Sequence, residues 1–340
     1  MNNDMNNDMN VTGSVRVPRE NAKKYFSRIG LGVLLLPLVT IVLQYAMAFL
    51  FAAVAPGVYS SWWFSWLLST VPLYCVAFPI FVLVLPKSPE KLGEKRPFGA
   101  GKLAIVCIIS ISAMYLFNII GFNLVEYINR LSDGRLGNTD ALNEIVSASP
   151  TWITIAIACF IGPIMEELIF RKVLVDRVLP FGEFRACLVS ALIFGLFHGN
   201  FRQFFYATAL GFIFAYVYVK TRNIFYSIGM HIGINLLGTL IIPNLLSAKN
   251  LEAVERAAAD PFNMTNSDAL KVLLVAGTLI ISAGIILTGV ILFFVFLKKI
   301  RFEAPKYEVE GGRATHMLLL NGGMIAAIVI MAAEFVLSLL

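Results

Sequence analysis

Two adjacent carboxylates and an arginine stand at the end of a long apolar run, Ile164-Met-Glu-Glu-Leu-Ile-Phe-Arg171. A bilayer penalises such groups heavily, so ionisable side chains within an apolar segment point to a functional site. On an α-helix Glu167 and Arg171 are four residues apart and share a face, which allows an intrahelical ion pair. Glu166 is turned by roughly 100° from Glu167 at 3.6 residues per turn, so it is free for proton chemistry in a cavity between helices. The competing reading places both glutamates in a headgroup layer with Arg171 and Lys172. Against it, the helical pattern continues through Asp176 and Arg177 to Pro180. With the membrane boundary at Asp176–Arg177, Glu166 lies ~15 Å deep at ~1.5 Å per residue.

Two further constellations follow on hydrophobic segments: Phe194-x-x-x-His198 and His231-x-x-x-Asn235. The second spacing puts an imidazole and an amide on one helical face. Gly229, Gly233 and Gly238 thin that helix and let neighbours approach. Alone, His198 could simply bond a backbone carbonyl, and the His231/Asn235 pair could be glue between helices. The chain has three histidines, and the third, His316, sits at the edge of the last apolar segment and is incidental. A buried carboxylate, two imidazoles and an amide are the parts needed to activate water and stabilise an oxyanion. The same Glu166, His198 and His231 could instead hold a divalent metal, Zn2+ being the candidate cofactor, with one open position. No His-Glu-x-x-His run, Gly-x-Ser-x-Gly elbow, P-loop or dinucleotide fingerprint occurs.

The elements that must position these groups are membrane helices. The 340 residues are 58% hydrophobic and only 14% charged, whereas soluble domains are about half apolar and a quarter charged. The predicted class is all-α: a polytopic transmembrane bundle of about eight or nine helices around a central polar cavity. The polar repeat that opens the chain cannot bury anything, so residues 1–18 are expected to be a disordered tail, without a cleaved signal peptide. Residues 19–340 are then one transmembrane domain with a catalytic core at about 151–246. The apolar segments are expected at about 29–55, 63–85, 103–127, 151 to the Glu-Glu stretch, 186–199, 203–219, 224–246, 269–297 and 317–340. Segment 186–199 covers only ~21 Å and suits a partial crossing. Pro163 predicts a kink or opening just before Glu166.

Lysines and arginines collect before the first segment and in alternate loops, which predicts a multi-pass protein of the cell membrane with a cytoplasmic N-terminus. The loops at 128–150 and 247–268 are read as external, the former with a short amphipathic helix near Asp140–Val146. The formal net charge of +6 belongs to the cytoplasmic loops, and no basic stretch with interleaved aromatics suggests nucleic acid. Cys75, Cys107, Cys159 and Cys187 are scattered, with no CxxC pair, and read as free thiols. No strong internal repeat of the kind found in many transporters is visible. The sequence leaves the oligomeric state open.

In this order, Glu166-Glu167-x-x-x-Arg171, Phe194-x-x-x-His198 and His231-x-x-x-Asn235 resemble the three-motif signature of the CPBP family, the CAAX-type prenyl endopeptidases and bacteriocin-processing proteins. The resemblance covers roughly residues 151–246; the N-terminal tail and the segment 317–340 lie outside it. It implies an intramembrane endopeptidase, glutamate-dependent or metallo, acting on a membrane-associated peptide or protein. Glu166 would be the general base, Arg171 would orient the glutamates, His198 would hold the water, and His231 and Asn235 would stabilise the oxyanion. Substrates implied by the family are prenylated CAAX peptides or, in bacteria, peptides of bacteriocin maturation or immunity. A proton-coupled transporter and a non-catalytic peptide-binding immunity protein are the alternative readings.

Overall fold

The computed structural model describes residues 14–59, 61–90, 93–136 and 141–340, and the side chains of all of these but 141–143. In chain order the main helices are α1 (Arg19–Val54), α2 (Trp62–Val84), α3 (Ala100–Leu131), α4 (Thr151–Phe181), α5 (Glu183–Phe197), α6 (Phe201–Thr221), α7 (224–245), α8 (Ala248–Ala259), α9 (Asn266–Leu297) and α10 (Gly322–Leu337). Seven helices, α7 and α8 counting as one, are long and apolar enough to cross a membrane. The chain is a multi-pass membrane protein.

The difference from the eight or nine expected crossings lies in two short helices. Helix α5 has 15 residues and α10 has 16, about 22–24 Å of helix against a hydrocarbon core of about 30 Å. Helix α5 ends at the His198-Gly199 turn, and α6 returns beside it. The loop expected at 247–268 contains a helix of its own, α8, because Ala248–Ala259 carries a polar face and alanines that favour helix. A short helix does occupy Ala141–Ala148 in the 128–150 segment; Asp140 and the turn at Gly137-Asn138 lie outside the described residues.

The N-terminal tail needs correction at its end. Val15–Val17 forms a strand, β1, that pairs in parallel with β2 (Tyr307–Val309), with Val15 opposite Tyr307 and Val17 opposite Val309. Val17 and Val309 are both buried in the main core, so two short apolar residues gain a packing site that local polarity did not foretell. Residues 1–13 lie outside the described residues.

The largest apolar core joins α1, α2, α4, α5, α6 and α10, and a second cluster joins α3, α6 and α7. Helix α9 is the least buried. Its Leu273, Ile280, Leu287 and Phe294, seven residues apart, are all exposed and form a stripe suited to lipid. One end of the bundle is stitched by polar contacts. Tyr218 Oη donates to Asp176 Oδ1 at 2.6 Å, Lys172 Nζ lies 3.0 Å from Asp176 Oδ2, and Tyr25 Oη donates to the Arg177 carbonyl at 3.0 Å. Glu183, buried at the start of α5, pairs with Lys220 and accepts from the Glu303 backbone N–H. Asp176 lies ten residues, or ~15 Å, along α4 from Glu166.

Helices α5 and α6 cross closely, and glycine permits it. A Cβ on Gly195 would lie 1.9 Å from Thr208 Oγ1 and 3.1 Å from the Phe204 carbonyl oxygen. A Cβ on Gly211 would lie 3.0 Å from Phe194 Cδ1 and 3.1 Å from Ala191 Cα. The approach brings Phe194 and Phe214 into the space above α4.

Candidate active site

The backbone around the site departs from regular α-helix in four places. Wider π-type turns occupy Val71–Ala77 in α2, Ile155–Ile161 and Leu168–Val175 in α4, and Leu236–Ile241 in α7. Such turns are rare and recur at functional sites. The one before Glu166 has a traceable cause. Gly162 N–H bonds the Ile157 carbonyl, five residues back, instead of Ala158. The next residue that could reach Ala158 in this register is Pro163, which has no N–H. The Ala158 carbonyl is therefore left without a helical partner, and Asn235 Nδ2 donates to it at 2.9 Å. The opening expected from Pro163 is thus present, and an amide from α7 fills it.

Glu167 and Arg171 form the expected pair. Glu167 Oε2 is 3.2 Å from Arg171 Nε, and both side chains are fully buried. The alignment is poor for a hydrogen bond: the Arg171 nitrogens and Glu167 Oε2 have no hydrogen-bond partner among the described residues. The contact is mainly Coulombic. The guanidinium also stacks on aromatic faces, 4.4 Å from the Phe194 ring centre and 5.7 Å from that of Phe214, a cation–π arrangement that is stronger when desolvated. Arg171 contacts Glu167 and not Glu166, so it orients one glutamate of the two.

His231 joins the two carboxylates. Its Nδ1 is 3.0 Å from Glu167 Oε1, and its Nε2 is 3.6 Å from Glu166 Oε2. A carboxylate held by Arg171 accepts, so Nδ1 carries the hydrogen. That choice of tautomer leaves the Nε2 lone pair facing Glu166. Glu166 keeps 23% of its side-chain surface accessible while Glu167 keeps none. The division read from helical spacing holds: one glutamate is locked and the other reaches open space.

His198 is the first residue beyond α5. Its Nδ1 is 2.8 Å from the Phe194 carbonyl oxygen, which only accepts, so Nδ1 carries the hydrogen and Nε2 is left as an acceptor. The ring stands edge-on to Phe194 at 4.8 Å, and Phe194 in turn stands edge-on to His231 at 5.7 Å. Phe194 is therefore the packing hub that touches Arg171, His198 and His231. The Glu166, Glu167, Arg171 and His231 side chains meet directly. Asn235 meets the α4 backbone, and His198 is joined to the group through Phe194.

Three residues in this neighbourhood carried no distinct signal in the sequence. Phe214 flanks Arg171 and lies 5.3 Å from the His231 ring; it is one of 27 phenylalanines. Asn200 accepts from Gln203 N–H to cap α6, and its Nδ2 donates to the His198 carbonyl at 2.8 Å. An asparagine ahead of a helical run is a readable cap, although its hold on His198 is not. Tyr74 comes from α2, nearly ninety residues earlier in the chain, and its hydroxyl lies on the Gly162 side of the site.

Zn2+ would need Glu166, His198 and His231 together. Among the described residues no three His, Cys, Asp or Glu side chains are gathered as a metal-ligand set. Glu166 Oε2 and His231 Nε2 meet at 3.6 Å, while His198 reaches the group through Phe194, so the three side chains as placed do not close into that set.

Comparison with known proteins finds similarity over the segment that carries the site. A family model described as type II CAAX prenyl endopeptidase Rce1-like matches residues 148–237. The "Putative membrane peptidase YdiL" of Bacillus subtilis (strain 168) is 31% identical over 167 residues, 47% of this chain and 65% of that protein. The "Membrane-embedded CAAX protease MroQ" of Staphylococcus aureus (strain USA300) is 34% identical over 129 residues, 35% of this chain and 49% of the relative. The UPF0177 protein YbdJ of Lactococcus lactis subsp. lactis (strain IL1403) is 36% identical over 110 residues, 31% of this chain and 46% of the relative. The chain thus spans between about half and just under two thirds of these relatives. No solved structure matches it. All three motifs fall within residues 148–237, the segment that is similar to the type II CAAX prenyl endopeptidase Rce1-like family model.

Proposed function

We propose that this protein is an intramembrane endopeptidase that hydrolyses a peptide bond in a membrane-associated peptide or protein, with Glu166 as the general base. The observation that carries the reading is the chain of contacts Arg171–Glu167–His231–Glu166. Arg171 pairs with Glu167, Glu167 accepts from His231 and fixes its tautomer, and His231 Nε2 faces the accessible Glu166. A water held by the acceptor Nε2 of His198 gives a proton to Glu166 as its oxygen attacks the scissile carbonyl carbon. The carbonyl oxygen becomes an oxyanion and accepts from Asn235, which has one amide hydrogen remaining after its bond to Ala158. As the tetrahedral intermediate collapses, the carbon–nitrogen bond breaks and the proton on Glu166 passes to the leaving amine. His231 shares that proton with Glu166 between the two steps. His231 then acts on the base more directly than on the oxyanion, a different emphasis from the one the family resemblance implies.

The names of two relatives, a membrane peptidase and a CAAX protease, support this class. A prenylated C-terminal CAAX peptide is accordingly the first substrate to test, and bacteriocin-type peptides the second. The basic residues ahead of α1 support a cytoplasmic N-terminus. The test is peptide mass spectrometry of membranes from cells carrying wild-type protein or Glu166→Gln. The reading expects cleavage products that vanish in the variant while its amount in the membrane is unchanged. Identical peptide profiles would leave the transporter or the non-catalytic binder in its place. Metal analysis of the purified protein, with activity read before and after chelation, addresses Zn2+ directly.

A further inference from the structure

Tyr74 takes no part in the steps above. It sits in the π-type turn Val71–Ala77 of α2, flanked by Pro72 and Pro79, in an otherwise largely aliphatic stretch. The side chain is half-buried against the main core. Its hydroxyl lies close enough to Glu166 to feel that carboxylate's charge. Two oxygens from different helices flank one point above Gly162: a Cβ built there would lie 3.7 Å from Tyr74 Oη and 3.9 Å from Glu166 Oε1. The absence of a Cβ keeps that point clear; it is bounded by the Ile157 carbonyl oxygen at 3.2 Å, by the base and by the phenol.

The donors already at the site are mostly committed. His231 gives its Nδ1–H to Glu167, His198 gives its Nδ1–H to the Phe194 carbonyl, and Asn235 gives one of its two amide hydrogens to Ala158. Arg171 is sealed beneath the aromatic rings with no exposed surface. A tetrahedral intermediate beside Glu166 needs hydrogen-bond donors aimed at its oxygen. A hydroxyl that borders the same space as Glu166 is that of Tyr74.

Resting on the endopeptidase reading, we propose that Tyr74 is a further catalytic residue, whose hydroxyl donates a hydrogen bond to the scissile carbonyl oxygen as it becomes the oxyanion. The proton stays on the tyrosine and no covalent bond to it forms. Its neighbour in this task is the remaining amide hydrogen of Asn235, which makes a pair of donors from α2 and α7. Loss of one such donor lowers kcat by about 100–1000-fold, with little effect on ground-state binding.

The test uses the full chain in proteoliposomes and a quenched fluorescent peptide bearing a farnesylated CAAX sequence, with membrane peptide mass spectrometry in parallel to catch an unprenylated substrate. Tyr74→Phe is expected to cut kcat about 100–1000-fold, leave KM within about threefold, and keep the shape of the kcat/KM pH profile. A Tyr74→Phe protein that melts like wild type and turns over within threefold of it overturns the proposal. So does a loss confined to KM, or one that comes with a shifted acidic limb of kcat/KM, since Tyr74 would then act by packing or by positioning Glu166. If Tyr74→Phe does not fold, Tyr74→Gln and Tyr74→Leu are compared: the proposal expects kcat at least about tenfold higher in the variant that keeps a donor, and equal kcat in the two overturns it. Glu166→Gln separates the two layers. A Glu166→Gln protein active at the wild-type rate removes the endopeptidase reading and this proposal together. A silent Glu166→Gln with a fully active Tyr74→Phe removes this proposal alone.

Discussion

Replacing Arg171 by methionine keeps much of the side-chain volume and removes the charge. Glu167, with no exposed surface, then keeps His231 and the Ser227 hydroxyl as partners but has lost its cation. At the observed 3.2 Å, two unit charges at an effective dielectric of about 20 attract by about 5 kcal/mol. Breaking a buried pair on one side costs about 3–5 kcal/mol because the other charge stays buried. The cation–π contact at 4.4 Å over Phe194 adds about 1–2 kcal/mol to what is lost. Replacing both partners, as Glu167→Gln with Arg171→Met, removes the orphaned charge, and buried pairs exchanged this way often cost little. The assay is a double-mutant cycle on equilibrium unfolding in mixed micelles. The single variants should each lose several kcal/mol and the double variant far less than their sum, a coupling of at least about 2 kcal/mol. The double variant should nonetheless lose activity, because a glutamine amide can donate as well as accept and no longer imposes one His231 tautomer. Additive losses, with coupling within about 0.5 kcal/mol, would refute the claim that Glu167 and Arg171 act as one buried unit.

Two further outcomes follow from the packing around the site. Asn235→Ala strips the Ala158 carbonyl of its partner beside Pro163 and should cost about 1–3 kcal/mol, read as a lowered unfolding midpoint in detergent, with kcat lost as well. Gly211→Ala drives a methyl toward Phe194 and Ala191 and should cost about 1–3 kcal/mol of overpacking. Because Phe194 touches Arg171 and both site histidines, its kcat should fall at temperatures where the variant is still folded. Unchanged kinetics in a folded Gly211→Ala would remove Phe194 as the hub.

The motifs of the site were legible because each rests on local spacing within one helix. The Glu167–Arg171 pair follows from an i,i+4 interval, and the outward turn of Glu166 from one residue of helical rotation. Pro163 announced the opening ahead of the glutamates, but the identity of the group that fills it did not follow. Asn235 reaches Ala158 across 77 residues of chain, and only the packing of α7 on α4 decides that. The same holds for the bridging role of His231, which sits between two carboxylates on another helix, and for Tyr74, one tyrosine of eleven. The spans were readable from length and apolarity, whereas α5 and α10 were borderline because their lengths fall short of a full crossing. The pairing of β1 with β2 joins residues nearly three hundred positions apart, and no local pattern encodes it.

The central claim is that two neighbouring glutamates have separate tasks, Glu166 in the chemistry and Glu167 in holding the site together. The most direct measurement is kcat and unfolding midpoint, taken side by side in proteoliposomes and detergent, for Glu166→Gln and Glu167→Gln. The account predicts that Glu166→Gln melts like the wild type with no detectable turnover, while Glu167→Gln melts at clearly lower temperature. Turnover at the wild-type rate in a folded Glu166→Gln would contradict it.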